Sequence, residues 1–553
     1  MFNGRRFAGW LLVATLFAYL PVYSAGWIWD DDYYVTENEA LRSVEGLGRI
    51  WTDTSTTPQY YPLTHTSFWL QYQLFGLNPF VFHLVNVLLH ALAALFLWRT
   101  LVVLSIPGAR LAAMLFALHP VHVESVAWVT ERKNVLCGLF FFAAAWLYLR
   151  SPKPTMKRSV GVFLLFLAAL FAKTVAAALP IALLMVLIWK RRFRRQDLFT
   201  LLPMLTVGML LGRITARLER EQVLAVGPEW DFSFAERWLI AGRAVWFYLS
   251  KLLVPIDLAF LYPRWSLDSG SLGQWAFLIA AFGVLLVTLL LAVKKSASPL
   301  VAALYFGLCL GPALGFFNVY PMRYSFVADH FQYLASVGPL AFIAAFAVYL
   351  ADRGALSTAA RQVGALLLAL VLIALTMTQA RNYHDAETLW RATTETTPSA
   401  WMAHHNLGYL LEGRGDLEEA IERYQAAVEY NPALTEAWVG IGTAQIALGM
   451  PQLALDPLQR ARSLDPKNSA AEYNQALALQ RLQRFSEAAS GYAALLRREP
   501  ELGKAHHNFA VCLYYLGQYP LAARALSDAQ RLGEAVDPAF VAALRAELSP
   551  PGN

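Results

Sequence analysis

The residues with the most chemical potential are Trp27-Ile28-Trp29-Asp30-Asp31-Asp32-Tyr33-Tyr34. Three successive carboxylates repel one another, and a surrounding of aromatic residues disfavours each charge further. Such a setting holds a carboxyl group toward its neutral form, which suits a base facing a polar substrate. The plain alternative is a solvated acidic loop. The stretch follows directly on the first apolar run, residues 7–24, so it lies at the end of a helix.

Two further stretches carry comparable side chains. His119-Pro120-Val121-His122-Val123-Glu124 precedes Glu131-Arg132-Lys133-Asn134. By type, His119, His122 and Glu124 could ligate a metal, but Pro120 breaks any simple helical face, and no metal or divalent cation is expected. Orienting a sugar or closing a polar network suits them better. The second stretch is Arg323-Tyr324-Ser325-Phe326-Val327-Ala328-Asp329-His330-Phe331-Gln332-Tyr333. Lys173 stands alone between two apolar runs, where it could snorkel to headgroups or bind a lipid-linked phosphate.

These side chains must be held by helices in a bilayer. Hydrophobic residues make up 57% of the 553 and charged residues 15%, against roughly 45–50% and 25% in soluble domains. The chain is read as a polytopic membrane protein with an all-α fold. About eleven spans are expected, at 7–24, 80–103, 109–126, 134–150, 159–174, 176–189, 198–214, 274–293, 299–317, 335–351 and 363–380. The first is an uncleaved helix, because the residues after it make a poor cleavage site. Residues 238–254 contain Arg243 and Lys251 and are expected to form an interfacial or re-entrant helix. Basic clusters alternate along the chain, the one at 150–158 among them. They put the N-terminus on the cytoplasmic side and the acidic loop, 119–133, 213–270 and 319–334 outside. The Arg-rich loop 213–264 departs from that pattern and suggests an anionic partner. The net charge of +6 suits membrane lipids and does not indicate nucleic acid. Cys137, Cys309 and Cys512 have no metal-like spacing and are packing residues.

The chain changes character at 381. Pro398, Pro432, Pro466 and Pro500 recur every 34 residues, in phase with Ala386, Ala420, Ala454, Ala488 and Ala522. Leu407-Gly408 and Ile441-Gly442 supply small contacts between paired helices. This resembles the tetratricopeptide repeat. A half repeat is expected at 384–400, full repeats at 401–434, 435–468 and 469–502, a degenerate one at 503–536 and a capping helix at 537–548. Two domains follow, 1–380 and 381–553. With so short a link, the solenoid is expected close over the outer surface. Asn406, Trp438, Asn474 and Asn508 are the candidate acceptor-binding residues, on a face that binds protein.

The sequence is similar to the GT-C class of membrane glycosyltransferases, above all to the transmembrane-and-TPR (TMTC) protein O-mannosyltransferases and their bacterial relatives. The resemblance rests on Trp29-Asp30-Asp31, on 119–126, on 328–334 and on the trailing repeats. It implies an inverting transfer of a mannose-like hexose from a polyprenyl-phosphate donor to a protein hydroxyl, on the outer face of a bacterial inner membrane, with the repeats periplasmic. It makes Asp30 and Asp31 the catalytic pair, with Asp32 an additional carboxylate beside them. The substrate-binding set is then Asp32, His119, His122, Glu124, Arg132, Lys173, Arg323, Tyr324, Asp329, His330 and Tyr333. The relatives carry Asp-Arg-Tyr where this chain has Asp329-His330-Phe331. A lipid phosphate leaves as a stabilised anion, so one base suffices, helped by a cation such as Lys173, Arg132 or Arg323. A non-catalytic membrane-anchored scaffold and a transporter of lipid-linked sugars are the alternatives from other classes. Charges gathered at outer helix ends and not at mid-membrane weigh against a transporter.

Overall fold

A computed structural model describes residues 4–151, 155–223, 225 and 227–548. Residues 152–154, inside the predicted basic cluster at 150–158, lie outside them, as do 224 and 226 in the outward loop. Every regular element among the described residues is helical. The chain divides into two compact units between Thr397 and Pro398.

The first unit begins with α1 (Gly4–Ala18), α2 (Val44–Thr52), α3 (Pro62–Phe75), α4 (Pro79–Val103), α5 (Ala109–Leu118) and α6 (Val123–Ala127). It continues with α7 (Arg132–Leu149), α8 (Met156–Ala172), α9 (Leu179–Trp189), α10 (Leu198–Glu221) and α11 (Phe234–Leu253). It ends with α12 (Leu272–Lys294), α13 (Ser298–Leu310), α14 (Val337–Arg353), α15 (Thr358–Arg381) and α16 (Ala386–Thr396). Each of the eleven predicted spans meets one of these helices. Among the described residues, however, only four helices are long and apolar enough to cross a bilayer unaided: α4, α10 with its preceding turn, α12 and α15. The others are cut short by turns. Pro120, for example, opens a 3-10 turn just beyond the end of α5. Such breaks are tolerated at membrane depth only where protein covers the freed backbone groups.

Packing follows the small residues. On α4, Ala91, Ala93 and Ala94 are fully buried and let α7 and α5 approach. A Cβ on Gly338 would lie 2.5 Å from the Ala302 carbonyl, so α14 crosses α13 with no room for a side chain. Thr376 on α15 ties its hydroxyl to the Leu118 carbonyl at 2.8 Å, at the end of α5. By contrast, only 6% of the apolar window of α12 is covered by protein, at a mean hydropathy of 2.9. A helix that is apolar all round and largely uncovered needs an apolar surrounding. The segment predicted as interfacial is the regular helix α11, packed along α12.

The second unit repeats a helical hairpin. Its pairs are α17 (Trp401–Arg414) with α18 (Leu417–Tyr430), α19 (Thr435–Ala447) with α20 (Pro451–Leu464), α21 (Ser469–Arg481) with α22 (Phe485–Arg498), and α23 (Gly503–Tyr515) with α24 (Tyr519–Arg531). α25 (Pro538–Leu548) closes the array. Added Cβ atoms would lie 2.9 Å from the Tyr424 ring at Gly408 and 2.5 Å from Leu458 Cγ at Gly442, so the two hairpins close on hydrogen.

Candidate active site

The acidic stretch turns sharply at Trp29, whose φ of +49° lies in the left-handed region. Residues other than glycine are held there only by surrounding structure. That structure is aromatic: the Trp29 ring lies 4.9 Å from Trp390, 6.0 Å from Phe260 and 6.5 Å from Tyr324. A single π-helical turn, Asp32–Thr36, follows. The three carboxylates therefore part company. Asp31 is fully buried and saturated. Its Oδ2 accepts the Ile28 N–H at 3.0 Å, and its Oδ1 accepts both the N–H and the hydroxyl of Thr130, at 2.9 and 2.7 Å. Asp32 is exposed and holds only the Thr36 hydroxyl. Asp30 is half-buried, and its Oδ1, itself out of contact with solvent, has no hydrogen-bond partner among the described residues.

Burial pushes Asp30 up to about 7; the Lys133 charge opposes this, and Asp31 and Glu131 add to it. Burial likewise pushes Asp31 up to about 7, against the hydrogen bonds from Ile28 and Thr130. A carboxyl group poised near neutrality with a free acceptor oxygen can take a proton from an approaching hydroxyl.

A charged chain stands beside this pair. Buried Glu131 pairs with Lys133 at 2.9 Å and with Lys173 at 3.2 Å. Burial raises its carboxyl, but His330, Lys133 and Lys173 outweigh that and hold it below the usual range. Glu124 clamps His330, accepting its N–H at 2.9 Å and meeting Nδ1 at 2.8 Å. His330 Nε2 then faces Glu131 at 3.9 Å. Behind it, the Tyr262 hydroxyl lies 3.1 and 3.0 Å from the two oxygens of Asp329. Burial and the Glu124 charge push that carboxyl well up. Lys133 also sits 5.1 Å from the Tyr34 ring and 5.7 Å from Trp128.

Glu124, His330 and Lys173 are thus joined through Glu131, and Asp30, Asp31 and Asp329 stand close enough for their charges to act on or feel this cluster. Other predicted contacts are used in packing. Arg132 is fully buried, giving Nε to Asn86, Nη1 to Gln71 and Nη2 to the Phe82 carbonyl at 2.9 Å. Tyr333 is buried with its hydroxyl 2.8 Å from His90 Nδ1. His119 bonds the Leu252 carbonyl at 3.1 Å and accepts the Val121 N–H, while His122 bridges the Phe116 carbonyl and Ser336. Arg323 pairs with Glu229 at 2.8 Å, next to Tyr324, whose hydroxyl bonds Tyr320.

The sequence offers Glu131 and Lys133 only within a stretch, with no role of their own, and it passes over Thr130. They share a motif with Arg132, and only the entry angle of α7 decides which of the neighbours face Asp30. A carboxylate and a lysine flanking the helix start were the available signal.

In the second unit Asn474 donates its amide to Thr443 at 3.0 Å and Asn508 to Tyr473 at 2.8 Å. Both link first helices of adjacent repeats. The Trp438 indole N–H is held by the Pro432 carbonyl at 3.0 Å, and Asn406 is half-buried.

The tetratricopeptide repeat family profile matches residues 378–429 and 407–469. Over 455 residues the chain is 24% identical to a protein O-mannosyl-transferase of Caenorhabditis elegans, covering 76% of this chain and 62% of that protein. Over 493 residues it is 27% identical to mouse protein O-mannosyl-transferase TMTC4, covering 74% and 64%. It spans less than two thirds of the length of these relatives. The crystal structure of YrrB, described as a TPR protein with an unusual peptide-binding site, aligns at 24% identity and a TM-score of 0.26 over 30% of this chain and 82% of that one. Across about three quarters of its length the chain is therefore similar to proteins named as O-mannosyl-transferases, and it ends in a tetratricopeptide array.

Proposed function

We propose that the protein is an inverting glycosyltransferase that moves a hexose from a polyprenyl-phosphate carrier to a hydroxyl group of a protein. The observation that carries this reading is the contrast between Asp31, locked by three hydrogen bonds from Thr130 and Ile28, and Asp30, whose Oδ1 has no such bond among the described residues, the carboxyl of each being raised to about 7. Asp30 is the base that takes the acceptor proton. The acceptor oxygen displaces the carrier phosphate at the anomeric carbon in one step, and the phosphate leaves as an anion facing Lys133 and Lys173. No protein–sugar intermediate is needed. The named activity of the relatives supports the reaction class. The four long apolar helices suit a donor that arrives through a bilayer, with the network on the outer side and the repeats binding the acceptor.

The test uses purified protein in lipid with radiolabelled polyprenyl-phosphate sugars and a periplasmic extract. Wild type labels protein, and Asp30→Asn does not, although it keeps its thermal unfolding midpoint. Label that survives in Asp30→Asn removes Asp30 as the base. No label with any donor, together with repeats that still capture protein, favours a scaffold.

A further inference from the structure

An apolar cavity of about 330 Å³ lies between α4, α7, α9, α13 and α14, within the roughly 300–1,000 Å³ of typical ligand sites. Leu101, Phe142, Leu183, Val186 and Phe342 wall it, and Lys190 stands at its edge. A hollow of about 470 Å³ adjoins it, lined by Arg150, Arg191, Arg192 and Arg194 with three apolar residues and no carboxylate. The two share a wall: Leu149 lines both, Arg150 follows Leu149 at the end of α7, and Arg191 follows Lys190 beyond α9. The nearby carboxylate, Asp197, is buried and occupied, accepting the Tyr148 hydroxyl and the Arg194 N–H, each at 2.7 Å. Arg191 is held at a φ of +52°, a conformation that costs energy for a residue with a side chain.

We propose that this composite site binds one anionic phospholipid, with its phosphate on the arginines and an acyl chain in the cavity. Guanidinium groups match phosphate oxygens in pairs, and basic pockets between membrane helices take anionic headgroups. Basic residues that merely orient a helix end would need no cavity behind them. The site is separate from the proposed sugar donor's, because Lys133 and Arg150 stand at opposite ends of α7, about 25 Å apart at 1.5 Å per residue. The inference rests on placing these helices in a bilayer and not on the transfer reaction.

The test uses the full chain, stripped of lipid in detergent, with long-chain phosphatidylglycerol, phosphatidylcholine of the same chains, or glycerol phosphate. Native mass spectra and the unfolding midpoint are read. Phosphatidylglycerol stays bound and raises the midpoint, and the other two do neither. Arg150→Ala with Arg192→Ala lowers occupancy about tenfold, a loss of charged phosphate contacts. Ala341→Phe, on the cavity wall, lowers it without changing charge. Both variants keep the lipid-free midpoint, and Asp30→Asn binds as wild type does. Equal retention of phosphatidylcholine, protection by glycerol phosphate alone, or unchanged binding in either variant overturns the proposal.

Discussion

Thr130 donates both its backbone N–H and its hydroxyl to the same oxygen of Asp31, across 99 positions of sequence. The pair fixes the acidic loop to the turn before α7. Thr130→Val keeps the shape and the N–H bond but removes the hydroxyl. An oxygen of a fully buried carboxylate then loses one of two donors, which costs about 1–3 kcal/mol. The expected result is a lower unfolding midpoint and a transfer rate reduced about tenfold through misplacement of Asp30. Thr130→Ser restores both. A rate that falls with the midpoint unchanged would mean that the hydroxyl touches substrate.

The repeats were legible because their signal is local: prolines and small residues recur at one period, and α17 to α24 follow it. The acidic site was legible only as a stretch. Asp30, Asp31 and Asp32 are indistinguishable by type, and their fates are set by a π-helical turn and by Thr130, neither visible in local pattern. The same holds for Arg132 and Lys133. Arg132 turns toward Asn86 and Gln71, whereas Lys133 turns toward Glu131. Asp31→Ala therefore does not test the chemistry alone. Asp31 also holds the loop, so its removal lowers stability.

The pH dependence of transfer follows from Asp30. Its carboxyl, raised to about 7, must be ionised to act, so the rate falls as pH drops through that value. Lys133 lowers this pKa. In Lys133→Met the opposing positive charge is gone, the carboxyl rises further, and the acidic limb moves up by about one unit. At neutral pH the variant is slower, and part of the loss returns at higher pH. An acidic limb at its original position would show that Asp30 is not the titrating base.

Tyr333 separates packing from substrate contact. Its hydroxyl meets His90 Nδ1 at 2.8 Å in a fully buried setting. Tyr333→Phe leaves that nitrogen unpaired and costs about 1–3 kcal/mol. The unfolding midpoint falls while transfer per folded molecule is unchanged. The reverse pattern would return Tyr333 to the sugar site.

The unit boundary decides how the repeats are tested. A cut at 381 removes α16 and with it Trp390, whose ring lies 4.9 Å from that of Trp29, next to Asp30. A cut after Thr397 leaves that contact in place. If the repeats bind the acceptor, the chain ending at Thr397 still releases sugar from the lipid donor to water, the base and cations being intact. Its transfer to protein falls about tenfold or more, the loss of local concentration that a second binding module supplies. Short hydroxyl-bearing peptides at high concentration recover part of the rate. Equal loss of both reactions would assign the repeats a structural role, and the cut at 381 provides the comparison, because it is expected to lose both.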